Sequence, residues 1–353
     1  MKFKIPKQQF DNFVITIIIN MIELSNRKVG LIGNGSWATA IAKMLSKNLE
    51  TFNWWVKDEY VKGYLERNKH NPKYLTDVEF QSDKLKISTD INEVVANSDI
   101  IFLVVPSIYV ADCLSKLTVP LMDKFVVTSI KGIIPEHYKF VGQYLMDNFG
   151  LAETQLGVVS GPCHAEEVAL ERLSYLTIAA QEEKKAQIVA DCLSCNFIKT
   201  KLSNDIHGTE FGAVLKNIYA IAAGIAHGLG YGDNFQAVLM SNAIREMNHI
   251  LKSASPLKRK INDSAYLGDL LVTGYSFFSR NRMFGNMIGK GYTVKSAILE
   301  MNMVAEGYYA TKGVAIMNES YQINAPIINA VHKILYEGKN PAKTIEKLSK
   351  KLD

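Results

Sequence analysis

Apolar strands alternate with helices up to about residue 204, and helices alone follow. This predicts an α/β fold: a Rossmann-like, doubly wound N-terminal domain followed by an all-α C-terminal domain. The chain has 353 residues, enough for two cores. The stretch Lys28-Val29-Gly30-Leu31-Ile32-Gly33-Asn34-Gly35-Ser36-Trp37-Ala38 reads as a buried strand turning through two glycines straight into a helix. That geometry holds a diphosphate. Gly33 permits the tight turn, Gly35 lets the backbone approach the phosphates, and Ala38 keeps the helix close to the strand. The N–H groups at the helix start face the anion, and the helix dipole adds to the attraction. Short glycine patterns also close ordinary βα turns. The weight therefore rests on context: an apolar strand before, and the amphipathic helix 39–47 after.

The remaining elements follow in order. Residues 51–56 read as a second strand, 57–68 as a helix, 71–86 as irregular and 91–96 as a short helix. Residues 99–106 form an apolar run ending at Pro106, the mark of a buried parallel strand. A helix follows, then a strand at 124–129 that ends at Lys131-Gly132. Pro135 is expected to open the next helix from its first turn. Residues 156–160 form a further strand, stopped by Gly161-Pro162, and 182–194 a helix. Beyond Asp205 the periodicity predicts helices at 211–228, 235–252, 294–312 and 325–336. The expected units are an extension at 1–24, a dinucleotide-binding domain at 25–204 and a helical domain at 205–353.

Composition narrows the function. Forty basic against 35 acidic residues leave a formal charge of +5, which argues for no nucleic acid and suits a small anionic substrate. Lys258-Arg259-Lys260 reads as solvated surface. Cys113, Cys163, Cys192 and Cys195 form no disulfide framework, and no histidine or second cysteine pair completes a metal site. The expectation is a reduced, cytoplasmic protein that needs no metal. Residues 14–19 are apolar but too short to span a membrane, so no stable insertion is expected. Lys2, Lys4 and Lys7 mimic a signal peptide, but no small-residue cleavage site follows. Residues 1–24 are expected to be dispensable, with Met21 a natural start.

Ligands of such sheets sit at the carboxyl ends of the strands. Those ends carry Gly33 to Trp37, Lys57, Pro106-Ser107, Lys131-Gly132 and Gly161-Pro162-Cys163-His164. Two lysines on one rim suit a phosphorylated cofactor and an anionic substrate. Lys57, where a ribose-binding carboxylate would otherwise stand, favours a 2′-phosphate, so NADPH should be accepted; Asp58 beside it competes. Lys216 and Asn217 lie inside an apolar helix. A snorkelling lysine is the alternative, but Leu215, Ile218, Ile221 and Ala222 leave little polar face for one. A buried lysine near other cations has a lowered pKa and becomes a usable acid or base. Further on stand Gly268-Asp269, Thr273 and Ser279-Arg280-Asn281-Arg282. Arg280 offers a planar fork for phosphate, and Phe277, Phe278, Met283 and Phe284 flank it. Glu306-Gly307, on a later helix, could approach the cofactor.

Together these residues resemble the bacterial NAD(P)-dependent glycerol-3-phosphate dehydrogenase family, from about Arg27 to near the C-terminus. The matching blocks are GNGSWATA from Gly33, VVPS from Val104, KG at Lys131, GPCHAEEVA from Gly161, GAVLKN from Gly212, LGDLLVT from Leu267, SRNRMFG from Ser279 and VAEGY from Val304. The resemblance implies reversible reduction of dihydroxyacetone phosphate to sn-glycerol 3-phosphate by NADPH or NADH, for glycerophospholipid synthesis, and a possible homodimer. It implies cofactor contacts at Gly33, Gly35, Ser36, Trp37, Lys57, Lys131, Ala165, Arg280, Val304 and Glu306. It implies substrate contacts at Lys131, Gly161, Cys163, Lys216, Asp269, Ser279, Arg280 and Asn281, with Lys216 transferring the proton. Many relatives carry Ser or Thr at the position of Cys163, and a more polar loop at 274–278. Two other readings stand beside this one: a β-hydroxyacid dehydrogenase, which shares the architecture and a helical-domain lysine, and a non-catalytic NAD(P)H sensor, which keeps the glycine loop but has no need for Lys216, Asp269 and Arg280 together.

Overall fold

A computed structural model describes residues 27–301 and 305–353. The expected extension at 1–24 lies outside the described residues, as does Val304. One eight-stranded sheet runs in the order β3-β2-β1-β4-β5-β6-β7-β8. Its strands are β1 (Val29–Ile32), β2 (Phe52–Trp55), β3 (Leu85–Ser88), β4 (Ile100–Leu103), β5 (Phe125–Thr128), β6 (Leu156–Ser160), β7 (Ser174–Ala180) and β8 (Ile198–Ser203). All neighbours are parallel except β6 and β7. The chain reverses direction across the sheet at β1, between β2 and β4, and a crevice opens there at the strand ends. β1 and β4 are buried at every residue, which is why they read as unbroken apolar runs.

Three expected element assignments need correction. The stretch 71–86 is not wholly irregular, because Leu85 and Lys86 begin β3. Pro135 opens no helix. The chain turns back there, with Ile134 N–H donating to Lys139 O at 3.0 Å and Tyr138 in the left-handed region, and the helix starts at Val141–Phe149. Residues 294–312 are two helices, Val294–Glu300 and Glu306–Tyr321. At the start of the second, the Asn281 side chain accepts from Gly307 N–H at 2.9 Å. Beyond the strands expected from sequence, β7 and β8 extend the sheet.

The C-terminal part wraps around the helix Ile206–Gly228. Its Ile218, Tyr219, Ile221 and Ile225 are fully buried, and Phe284 and Val331 belong to the same core. Each such large side chain contributes about 1.5–3 kcal/mol of transfer free energy. Asp205 caps this helix through Gly208 N–H at 3.0 Å. It is also gripped by Arg259, so Arg259 is a buried partner and not the solvated surface residue expected of the basic triplet. The helix Arg280–Gly289 crosses Ile206–Gly228 backbone to backbone. A Cβ on Gly224 would lie 2.1 Å from Arg282 O, and one on Gly285 2.2 Å from Ile221 O. No other residue fits at these crossing points, and the close approach brings Arg280 and Asn281 toward Lys216 and Asn217.

Candidate active site

A groove of about 610 Å³ runs from the sheet crevice to the helical part. At one end is the glycine turn. Gly33 has φ +127°, and a Cβ there would lie 2.1 Å from Val104 O, so the turn requires glycine. Trp54 Nε1 donates to Gly33 O at 2.7 Å and fixes it from below. The helix Ser36–Asn48 then starts from Gly35 with no side-chain cap. A Cβ on Gly35 would meet nothing within 4 Å. Uncapped N–H groups beside open space fit a diphosphate.

The helical part closes over this turn. Arg280 Nη2 donates to Ser36 Oγ at 2.6 Å, joining residues 244 apart in sequence. Ser279 caps the helix that starts at Arg280, through Arg282 N–H at 3.3 Å. Glu306 accepts from Ser107 N–H at 2.9 Å and from its hydroxyl. Burial holds the Glu306 carboxyl above its ordinary range. Gly132 faces this pair: a Cβ there would lie 2.1 Å from Glu306 Oε2. Trp37 Nε1 donates to Ser129 Oγ at 2.9 Å, tying the glycine turn to the end of β5.

The other end is polar and buried. Asp269, 1% exposed, sits between two lysines: Lys216 Nζ is 2.5 Å from Oδ1 and Lys131 Nζ is 3.1 Å from Oδ2. Lys216 also donates to Thr273 Oγ1 at 2.8 Å, and Lys131 to Gly161 O at 3.2 Å. Ser160 Oγ donates to Asp269 Oδ2 at 3.2 Å, and Asn217 Nδ2 to Lys131 O at 2.6 Å. Burial pushes Lys216 down to about 7; the attraction of Asp269 opposes this and the repulsion of Lys131 adds to it. Burial works against the charge of Asp269, but the two ammonium groups outweigh it and hold its carboxyl below the usual range. With both lysines protonated, the cluster carries one positive charge in excess.

The expected residues therefore converge. Ser36, Trp37, Lys57, Lys131, Cys163, Ala165, Lys216, Asp269, Ser279, Arg280, Asn281 and Glu306 all line the groove. Lys57 stands at its far rim. Gly33 and Gly161 shape the backbone beneath; Gly161 has φ +133°, with Tyr175 O where a Cβ would go. Burial pushes the Cys163 thiol up to about 12, so it stays protonated. His164, pushed down to about 4 by burial and then by Lys216 and Lys131, is a neutral wall residue. Sequence reasoning did not single out Ser129, Ser160, Asn71, Lys73 or Tyr74. Ser129 and Ser160 could have been found from their place at the ends of strands already expected, whereas nothing local marks Asn71. Among the described residues no cluster of three His, Cys, Asp or Glu could hold a metal, and no helix is long and apolar enough to cross a membrane.

Comparison with known proteins agrees with this layout. Residues 28–186 match the family described as NAD-dependent glycerol-3-phosphate dehydrogenase N-terminus, and residues 205–346 its C-terminus. A glycerol-3-phosphate dehydrogenase [NAD(P)+] of Macrococcus caseolyticus is 34% identical over 88% of this chain and 94% of its own. One from Thermoanaerobacter sp. is 34% identical over 91% and 96%. The crystal structure of glycerol-3-phosphate dehydrogenase from Coxiella burnetii superposes with a TM-score of 0.83 at 25% identity, covering 91% of this chain and 98% of that one. Strand order, helical cap and whole-length likeness lead to one conclusion: the chain belongs to the NAD-dependent glycerol-3-phosphate dehydrogenase family.

Proposed function

We propose that the chain catalyses the reversible NAD(P)H-dependent reduction of dihydroxyacetone phosphate to sn-glycerol 3-phosphate, the supply step for glycerophospholipids. The observation that carries the proposal is the Lys131–Asp269–Lys216 cluster, with its excess positive charge beside the groove. The glycine turn would hold the diphosphate of a reduced nicotinamide cofactor, which would supply the hydride at the lysine end of the groove. Lys216 donates the proton that the nascent C2 alkoxide needs, and takes it back in the reverse direction. Lys131 stabilises the charge that develops on that oxygen. Asp269 and Thr273 hold the Lys216 ammonium in place from one helix, Asp269–Tyr275.

Arg280, Asn281 and Ser279 grip the substrate phosphate, so binding energy remote from the carbonyl positions it. Gly161 and Cys163 form the wall behind the substrate. Gly33, Gly35, Ser36 and Trp37 cradle the diphosphate, Lys57 faces the adenosine ribose, and Ala165, Arg280 and Glu306 complete the cofactor side. Val304 is assigned to that side by its family motif alone. The chain divides functionally near residue 205, and residues 1–24 are dispensable; activity after their deletion tests this. A homodimer in the cytoplasm is proposed on the family likeness, with four unpaired cysteines in keeping with a reducing compartment. Light scattering tests the dimer.

The decisive assay follows NADPH and NADH oxidation with dihydroxyacetone phosphate and, in parallel, with 3-oxo acids. Turnover with the phosphorylated ketone is expected. Turnover with 3-oxo acids alone would favour a β-hydroxyacid dehydrogenase, and cofactor binding without turnover a sensor.

A further inference from the structure

Asp269 has a third partner to which the chemistry above gives no role. Ser160 is the last residue of β6 and is 1% exposed. Its hydroxyl reaches Asp269 Oδ2 at 3.2 Å, the same oxygen that Lys131 holds at 3.1 Å. Oδ1 is left to Lys216, with Thr273 Oγ1 at 3.3 Å. The two donors on Oδ2 differ in kind. Lys131 carries its ammonium on a long side chain, 19% exposed, and also donates to Gly161 O. Ser160 has a short side chain on a strand that is buried at every residue. Across the antiparallel β6–β7 pair it faces Thr177, on the same side of the sheet. The Thr177 hydroxyl is also buried, but has no hydrogen-bond partner among the described residues. Of these two neighbouring hydroxyls, Ser160 is the one bonded to Asp269.

On the roles proposed above, Lys131 turns its ammonium toward the oxygen that gains charge, and its hold on Oδ2 weakens as it does so. A buried carboxylate oxygen left without a donor is costly, so a carboxylate served by Lys131 alone on that side would resist the turn. A second donor that cannot leave removes the resistance. The hydroxyl also acts at rest. The two ammonium groups hold Asp269 ionised, and an ionised carboxylate only accepts, so Ser160 must point its hydrogen at Oδ2. The positive end of that O–H dipole weakens the pull of the carboxylate on Lys216. The other titratable groups facing Asp269 are Cys163 and His164, after β6; the first stays protonated and the second neutral near pH 7. The charges that the hydroxyl acts upon are therefore those of Asp269, Lys131 and Lys216.

We propose that Ser160 is a positioning residue for the reaction: its hydroxyl ties the Asp269 carboxylate to the sheet, keeps Oδ2 satisfied when Lys131 turns to the substrate, and tempers the pull of Asp269 on the Lys216 ammonium. The inference rests on the roles proposed for the two lysines.

The test joins kinetics to a titration that needs no ligand. In the full chain, isotopic labelling of the lysine ε-carbons lets NMR follow the ionisation of Lys216, its signal being assigned by its loss in Lys216→Met. The wild-type signal is expected to titrate at about 7. In Ser160→Ala it should titrate at higher pH, and the alkaline fall in kcat/KM for dihydroxyacetone phosphate should move the same way. That variant should lose about fivefold in kcat, the net worth of one hydrogen bond, while KM for the ketone and NADPH affinity change by less than about twofold. Ser160→Thr, which keeps the hydroxyl, should return kcat and the titration to their wild-type values. Thr177→Val, which removes the unpartnered hydroxyl opposite, should leave both there. Unchanged kcat in Ser160→Ala, or a Lys216 titration that stays put or moves to lower pH, would overturn the proposal, as would an equal shift in Thr177→Val. Failure of wild type to reduce dihydroxyacetone phosphate would overturn the function proposed for the chain, and the NMR titration would then decide separately whether Ser160 acts on Lys216.

Discussion

Two buried carboxylates in this molecule hold cations, and they do opposite things with them. Asp205 meets one guanidinium. Arg259 approaches side-on, with Nε at 2.5 Å from Oδ2 and Nη2 at 2.9 Å from Oδ1, and the Tyr266 hydroxyl and Gly208 N–H complete the shell. Arg259 Nη1 donates to Leu251 O and Ser255 O. Charge is balanced and the cluster is closed. Asp269 meets two ammonium groups instead, and both of those lysines line a groove. The first arrangement can only hold the fold together. The second is incomplete without an anion, and its lysine at about 7 can release or take a proton near neutral pH. Burial alone does not mark a catalytic cluster; an unequal count of charges opening onto a cavity does.

The contrast can be broken from either side. The largest effect is expected from Lys216→Met, which should lower turnover by about 10²- to 10⁴-fold, the usual worth of a positioned acid or base. NADPH affinity, followed by fluorescence titration, should stay within a few-fold. Retained turnover would remove Lys216 from the mechanism. Asp205→Ala strands the buried Arg259 and should cost about 3–5 kcal/mol in denaturant unfolding. The folded fraction should keep its turnover per molecule; a selective loss of turnover would mean that the two clusters are coupled.

The pH dependence sharpens the comparison. On the role proposed for Lys216, reduction draws on its ammonium form, so kcat/KM for the ketone should fall as pH rises through about 7, while oxidation of the alcohol rises over the same range. Thr273→Val removes an acceptor that favours the ammonium. Both limbs should then move to lower pH, with about a fivefold loss in kcat/KM at neutral pH, the worth of a single hydrogen bond. An unmoved pH profile would show that Thr273 does not tune Lys216.

Much of this was legible before any coordinates. The central strands are buried on both faces and announce themselves as apolar runs, as at Ile100–Leu103. The outer strands do not. β3 and β8 lie at the two sheet edges, and Lys86, Lys199 and Lys201 point to solvent and break the apolar signal. Pro135 misled because a proline suited to a helix's first turn suits a tight turn equally well. The charged residues of the groove were found from strand ends and from a lysine in an apolar helix. That Lys131 and Lys216 share the one carboxylate of Asp269 was not, since Lys131 and Asp269 lie 138 residues apart and no local pattern encodes the contact. Arg259 was misread for the same reason: its partner stands 54 residues upstream.

The crossing of Ile206–Gly228 with Arg280–Gly289 has one more consequence. Gly224, Gly228, Gly285 and Gly289 place backbone directly on backbone, with no compressible side chain between. On the roles proposed here, one helix carries the proton donor and the other the phosphate grip, so the junction acts as a gauge block of fixed length. A substrate one carbon longer would find no slack between the two jaws. Selectivity for a three-carbon skeleton would then be stored in four residues that never meet the substrate, and enlarging any of them would miscalibrate the measurement without touching a single contact in the site.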